Sequence, residues 1–308
     1  MEISVNLKER FCKDCNIPIN IFQEPYFMER MKLYDQLYGT LDKWNVFIKE
    51  LERYKTEQDY FEEYNRIKDS AINDIKATEA YQRFNNENMN KYAIKYKDFP
   101  SKDIYHPSNI GRRFISIDMR KANFSSLKYY DSNIFAGTET WEEFMSKYTE
   151  NKHIINSKYI RQVILGNCNC KRHITYEKYL METILEMVLP YISKDLVVFF
   201  SNDEIIIDIT DFSGDKEKLE FYLKEVTRKT AIPLKVEVFT LYKIDKINGY
   251  YKDFGNNNFE LKCTNSLYLP FVIRYFNGED IAENDKVFYR DGLLAKFIET
   301  PEIKILKN

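Results

Sequence analysis

Val197-Val198-Phe199-Phe200-Ser201-Asn202-Asp203-Glu204-Ile205-Ile206-Ile207-Asp208-Ile209 holds two apolar runs around one polar tetrapeptide. Val197 to Phe200 and Ile205 to Ile209 are short, aliphatic and β-branched, as buried strands are. Ser201 to Glu204 supplies turn residues between them, so the segment predicts a β-hairpin with an acidic tip.

The flanks extend the pattern in both directions. Phe114, Ile115 and Ile117 predict a strand that ends at Asp118. After an intervening polar stretch, Tyr176 to Tyr191 reads as a helix with Tyr179, Leu180, Ile184, Met187 and Val188 on one face. Asp215 to Lys229 predicts another helix, with Leu219, Tyr222, Leu223 and Val226 inward, and Leu234 to Leu241 a fourth strand with alternating Val236, Val238 and Thr240. Strand, helix, strand, strand, helix, strand is the βαββαβ arrangement: an α+β fold with an antiparallel sheet and both helices on one face. The first strand is expected beside the second, at the centre. The end of strand one and the hairpin tip then share one sheet edge.

Residues 100–245 form this sheet domain. Pro100 and Pro107, with Ser101, Asp103, Ser108 and Asn109, mark a linker before it. Residues 1–99 have the texture of a helical unit. Phe27, Met31, Tyr34, Leu37, Leu41, Trp44, Ile48 and Leu51 recur every three or four residues and predict one long amphipathic helix, with Gly39 as a kink. Thr56 and Asp59 have capping-box spacing at the start of a second helix carried by Tyr60, Tyr64, Ile67, Ala71 and Ile75. The expected result is a hairpin of long helices. Residues 246–308 predict a small β-rich extension, with short strands around Tyr268 to Phe276 and Val287 to Phe297.

The sheet edge is where chemistry is expected. Asp118, Asp203 and Glu204 would repel one another there unless a divalent cation neutralised them, and such hard oxygen ligands suit Mg²⁺ or Mn²⁺. Two ions about 3.5–4 Å apart can activate a hydroxyl and stabilise a departing pyrophosphate. Taken alone, Asp203 and Glu204 are also ordinary turn residues. Adding Asp118 at the matching strand end turns the balance towards a site.

Phe114-Ile115-Ser116-Ile117-Asp118-Met119-Arg120-Lys121-Ala122-Asn123-Phe124 resembles motif A of palm-domain nucleic acid polymerases: a strand, a metal-binding Asp, then a residue that screens the incoming sugar. Phe199-Phe200-Ser201-Asn202-Asp203-Glu204 is similar to motif C, its Asp-Glu order nearer to family A DNA polymerases than to reverse transcriptases. Arg161 to Asn167, through Lys171-Arg172, occupies the place of motif B, and Gly166-Asn167 is similar to a reverse-transcriptase Gly-Asn element. The resemblance covers residues 110–245 in the order A, B, C. It implies a palm-like domain and template-directed nucleotidyl transfer from a nucleoside triphosphate, with Asp118, Asp203 and Glu204 as catalytic metal ligands. It further implies Arg161, Lys171 and Arg172 at the triphosphate, and Asn123 or Phe124 at the sugar. Arg112, Arg113, Arg120 and Lys121 flank the first acidic strand and are candidates for primer or template phosphates. They serve equally well as counter-charges to the carboxylates. DNA and RNA remain alike open as template and product.

Two other readings stand beside it. Ser201-Asn202-Asp203-Glu204-Ile205 is similar in shape to the hairpin of nucleotide cyclases of the diguanylate type, but lacks the paired glycines that admit guanine and phosphate. A non-catalytic nucleic-acid-binding or accessory module is the third; an RNA recognition motif shares the topology but needs exposed aromatics on its central strands.

Composition bounds the rest. With 46 basic and 48 acidic residues, a net charge of −2 excludes a uniformly basic nucleic-acid binder, though not a local basic groove. Five cysteines make no disulfide framework. Cys12-x2-Cys15 and Cys168-x-Cys170 lack zinc-ribbon spacing, and of His106, His153 and His173 only His173 lies near a cysteine pair. No apolar run approaches a membrane span, and Glu2, Lys8, Glu9 and Arg10 leave no apolar leader core, so a cytoplasmic protein is expected. The aromatic stripe of the N-terminal helices suits core packing first, base stacking or self-association second.

Overall fold

The computed structural model describes residues 3–307; Met1, Glu2 and Asn308, at the ends of the outer two predicted units, lie outside it. The chain is α+β, with an N-terminal helical region, a seven-stranded antiparallel sheet and a two-stranded sheet near its C-terminus.

Six helices come first: α1 (Val5–Cys15), α2 (Tyr26–Leu33), α3 (Asp35–Tyr38), α4 (Thr40–Leu51), α5 (Glu57–Ala77) and α6 (Glu79–Asn86). The predicted long first helix is in fact three. It breaks at Tyr34, and again at Gly39, whose φ of +56° belongs to the left-handed region that only glycine enters cheaply. The capping box of α5 forms as its spacing predicts. Thr56 Oγ1 accepts from the Asp59 N–H at 3.2 Å, and Asp59 Oδ2 accepts from the Thr56 N–H at 2.9 Å.

The chain continues through β1 (Arg113–Met119), α7 (Ala122–Tyr130), α8 (Trp141–Met145), α9 (Lys152–Asn156), α10 (Lys158–Gly166) and α11 (Cys170–Val188). Then follow β2 (Val197–Phe200), β3 (Glu204–Asp208), α12 (Lys216–Arg228), β4 (Leu234–Ile244), β5 (Gly249–Gly255) and β6 (Asn258–Lys262). The C-terminal part adds α13 (Leu269–Asn277), β7 (Val287–Arg290), β8 (Leu293–Lys296) and β9 (Ile305–Leu306). The predicted polar stretch after β1 therefore contains four short helices. Each of α8, α9 and α10 opens on a side-chain cap, Thr140, Asn151 and Ser157 respectively.

The strand order is β2-β3-β1-β4-β5-β6, with β9 also on β4. β1 thus lies beside the second strand of the hairpin, not the first. The crossover from β1 to β2 skips one position, and the hairpin folds β3 back into the gap. Phe200 enters the main core, while Phe199 packs on the opposite sheet face. Ile115, Ile117, Ile205 and Ile207 face the layer of α7, α11 and α12. Phe114, Ile206 and Phe239 face the other way, where Ile104 and Tyr105 of the linker help to cover them.

Two expectations for the C-terminal part need correction. Tyr268 to Phe276 is not a strand but α13, because Pro270 suits a first helical turn and Gly278, at φ +67°, a helix end. β5, β6 and β9 extend the main sheet, and only β7 and β8 form a separate small one. The N-terminal helices and the layer over the sheet share one continuous core. Among the described residues, no helix is long and apolar enough to cross a membrane.

Candidate active site

The strand register brings the acids to one edge. Asp118, at the end of β1, is directly opposite Glu204, the first residue of β3, and the Met119 N–H donates to the Asp203 carbonyl at 2.7 Å. Residues directly opposite on an antiparallel pair point to the same face. Burial and the charges of Glu204 and Asp203 push the Asp118 carboxyl up to about 6, against a smaller opposing pull from Lys252.

The three acids do not make equal use of that proximity. Asp118 and Asp203 line a cleft of about 450 Å³ together with Lys121, Asn123, Lys158, Arg161, Gln162 and Glu177. Glu204 is held instead by the Ser116 hydroxyl, which donates to its Oε1 at 2.6 Å, and by Lys252 Nζ at 3.5 Å. Lys252 is itself buried, with its ammonium over the Phe239 ring. Among the described residues, no group of three or more His, Cys, Asp and Glu side chains converges as a ligand set for a metal ion.

The cleft's other walls come from α7, α10 and α11. At the start of α7, Lys121 has φ +49° and pairs with both oxygens of Glu142, at 2.5 and 2.6 Å. On α10, Lys158, Arg161 and Gln162 occupy one face by their i, i+3, i+4 spacing, while Ile160, Ile164 and Leu165 are buried. Arg161 Nε is buried without a partner, and burial lowers the affinity of this guanidinium for its proton despite Glu142 nearby. A buried guanidinium donor without an acceptor, on the wall of this cleft, suits an anionic group, while the carboxylates opposite suit a cation.

α10 is set by the N-terminal region. Its cap, Ser157, donates to Asp14 Oδ1 at 2.9 Å. Tyr64 donates to the same oxygen at 2.9 Å, and His153 Nε2 lies 3.1 Å from Oδ2. All four groups are buried, so α1, α5, α9 and α10 meet on one carboxylate.

Glu177 was not anticipated, and neither were Lys158 and Gln162. Glu177 sits on the apolar face of α11 and takes the Asn202 amide at 2.9 Å, which ties the hairpin tip to that helix. Burial pushes its carboxyl up to about 7, with Asp203 adding to the rise and the Asn202 hydrogen bond opposing it. A glutamate one residue from Tyr176 and three before Leu180, at a position where the helix turns inward, was the available signal.

Several predicted residues lie elsewhere. Phe124 is core, its ring 4.6 Å from Phe135 and 5.9 Å from Trp141, which leaves Asn123 as the residue of that pair at the cleft. Lys171 is exposed at the start of α11 and does not line the cleft. Arg172 donates to the Phe84 and Glu87 carbonyls and so fastens α11 to the end of α6. Arg112 and Arg113 flank the opposite end of β1, roughly 17 Å along the strand from Asp118 at about 3.4 Å per residue. Arg112 there pairs with the buried Asp208 and with the exposed Asp211. Arg120 is exposed, its N–H given to the Pro233 carbonyl at 2.9 Å. The five cysteines are free thiols, and His173 is buried against Phe84, where burial lowers its pKa to about 4.

Comparisons of the chain with protein-family models, with curated proteins and with solved structures found no match.

Proposed function

We propose that this chain is a palm-type nucleotidyltransferase, which under the direction of a template transfers the nucleoside monophosphate of a nucleoside triphosphate to a primer hydroxyl, with pyrophosphate leaving. The observation that carries the reading is the lining of one cleft. Asp118, from the end of β1, and Asp203, from the hairpin turn, stand there with Lys158 and Arg161 of α10, whose buried Nε has no partner. Phosphoryl transfer needs mainly positioning and charge neutralisation, and these are the groups for it.

Mg²⁺ is commonly held by one or two carboxylates, with water and substrate phosphates completing its shell. Asp118 and Asp203 fit that requirement; burial raises the Asp118 carboxyl first, and the repulsion from Glu204 and Asp203 that adds to the rise is the part a cation would offset. Bound there, Mg²⁺ or Mn²⁺ would supply charge neutralisation and a more acidic primer hydroxyl. Glu204, engaged by Ser116 and Lys252, is a positioning residue in this scheme: its charge acts on Asp118 from the neighbouring strand. Arg161 and Lys158 hold the triphosphate, with Lys121 beside them. Asn123 and Glu177 are the polar groups available to the sugar. The βαββαβ core, with α11 and α12 on one face, is the palm of this scheme.

The experiment is incubation of the pure chain with Mn²⁺ or Mg²⁺, labelled nucleoside triphosphates and a primed template, in DNA and RNA forms. Primer extension is expected, with loss in Asp118→Ala and Asp203→Ala. Extension that survives both substitutions would falsify the assignment. A cyclic or linear dinucleotide in place of an extended primer would favour the cyclase reading.

A second reading is favoured by one observation: Ser116 and Lys252 engage the Glu204 carboxylate, which diverts one of the three acids from the cleft. On that reading the chain binds nucleic acid without chemistry. Tight binding of primed template, with no turnover at any tested divalent ion, is its signature.

A further inference from the structure

The cleft is not the largest hollow of the molecule. A groove of about 710 Å³ lies next to it, walled by the N-terminal region, α10 and β6. The two share Lys158 and Gln162, which line both. The two hollows therefore adjoin at α10, on either side of the same lysine.

The groove's lining has two kinds of surface. Half-buried rings stand on it, Phe22 and Tyr38 from the N-terminal region, Tyr159 from α10 and Phe259 from β6. Asn16, Asn20 and Gln162 add amides that can donate and accept at once. The charges are Lys13, Lys158 and Lys262 against Glu9 and Glu260. Lys13 pairs with Glu9 at 2.6 Å and Lys262 with Glu260 at 2.7 Å, which leaves Lys158, where the hollows join, as the cation available to an incoming anion. Rings for base faces, amides for base edges and a cation at the junction are the ingredients of a track for an unpaired strand. The net charge of −2 does not oppose this, since the cations that count are local.

We infer that this groove binds single-stranded nucleic acid, and that its occupant is the unpaired template leading into the cleft. The inference rests on the nucleotidyl-transfer reading for the word template, and on the groove alone for the strand. It gives the N-terminal region a task, since Asn16, Asn20, Phe22 and Tyr38 come from it.

The test is fluorescence anisotropy of a short labelled single-stranded oligonucleotide, as DNA and as RNA, without divalent ion or triphosphate. Phe259→Ala is expected to weaken binding about tenfold, as loss of one stacked base does. Lys262→Glu places a negative charge on the wall and is expected to weaken binding and to flatten its salt dependence. A photo-crosslinking oligonucleotide, applied to the unaltered chain, is expected to label peptides that contain Tyr159 or Phe259; it keeps the test decisive should either variant fold poorly. Binding within about twofold of the original in both folded variants, or crosslinks only outside the groove, overturns the inference. Complete displacement of the oligonucleotide by a free nucleoside triphosphate also overturns it, since the groove would then hold a mononucleotide. Groove binding without primer extension would sink the catalytic reading and leave the groove standing; extension without groove binding would do the reverse.

Discussion

Asp118→Asn removes one negative charge from a strand end where Glu204 and Asp203 supply two more. The carboxyl is pushed from an ordinary 3.8 to about 6, first by burial and then by those neighbours. Each tenfold change in proton affinity is worth about 1.4 kcal/mol, so keeping the group ionised costs the folded chain at most about 3 kcal/mol. Asp118 is partly exposed, and solvent screening reduces this to about 1–2 kcal/mol. The sign follows from linkage. The folded chain holds this proton more tightly than the unfolded one, so stability falls as pH rises from about 4 to about 6. Above that range the penalty is complete; below it, absent. Asparagine keeps the shape and cannot ionise. The variant is therefore expected to exceed the original by about 1–2 kcal/mol at about pH 8 and to match it at about pH 4. Urea unfolding of both proteins at each pH reads the difference, and the contributions of every other titrating group cancel in it. Mn²⁺ at the higher pH should stabilise the original chain more than the variant. Equal stability at both pH values, or a variant weaker at the higher one, would refute the electrostatic account of this edge.

Three further outcomes follow from particular contacts. Arg161→Met removes a buried donor without a partner, so it is expected to raise stability by about 1 kcal/mol in urea unfolding while raising the KM for nucleoside triphosphate at least about tenfold. Asp14→Ala strips the shared acceptor from Tyr64, Ser157 and His153, and is expected to cost about 3–5 kcal/mol in the same assay. Thr56→Ala loses a cap of α5 and should cost about 1 kcal/mol, read as a lower melting temperature by circular dichroism.

Much of the sheet was readable because its strands are segregated by chemistry. Ile205 to Ile207 is apolar on both faces, and Phe114 to Ile117 is apolar but for Ser116; each is bounded by charged residues, so their ends were sharp. The same rule misread Tyr268 to Phe276, where a dense apolar run conceals a helix that buries one side of itself against α2. Pro270 and Gly278 were the better evidence there. Pairing order was the harder problem. Alternation says which residues share a face, but not which strand enters the slot left by a crossover. The meeting of Asp118 and Asp203 at one sheet edge could be read because strand ends and turns carry short-range signals. Lys158 and Gln162 were passed over because their surroundings were taken as a polar stretch, although one helical turn separates them. Glu177 was hidden by its apolar neighbours. The choice between Asn123 and Phe124 stayed open because a ring after an acidic strand end can turn towards substrate or core, and Phe135 and Trp141, from later in the chain, draw Phe124 inward.

β4 is eleven residues long and belongs to two neighbourhoods at once. Leu234 to Thr240 lies along β1, and Thr240 to Ile244 along β5, with β9 on its other side at Lys243 and Ile244. Cutting the chain near residue 245 would therefore strip hydrogen-bond partners from a strand that also supports Asp118. The freed edge would be open to pairing with other chains, so a shortened protein is expected to clump before any assay can be made on it. Anyone trimming this molecule for crystallisation should keep the tail through Leu306.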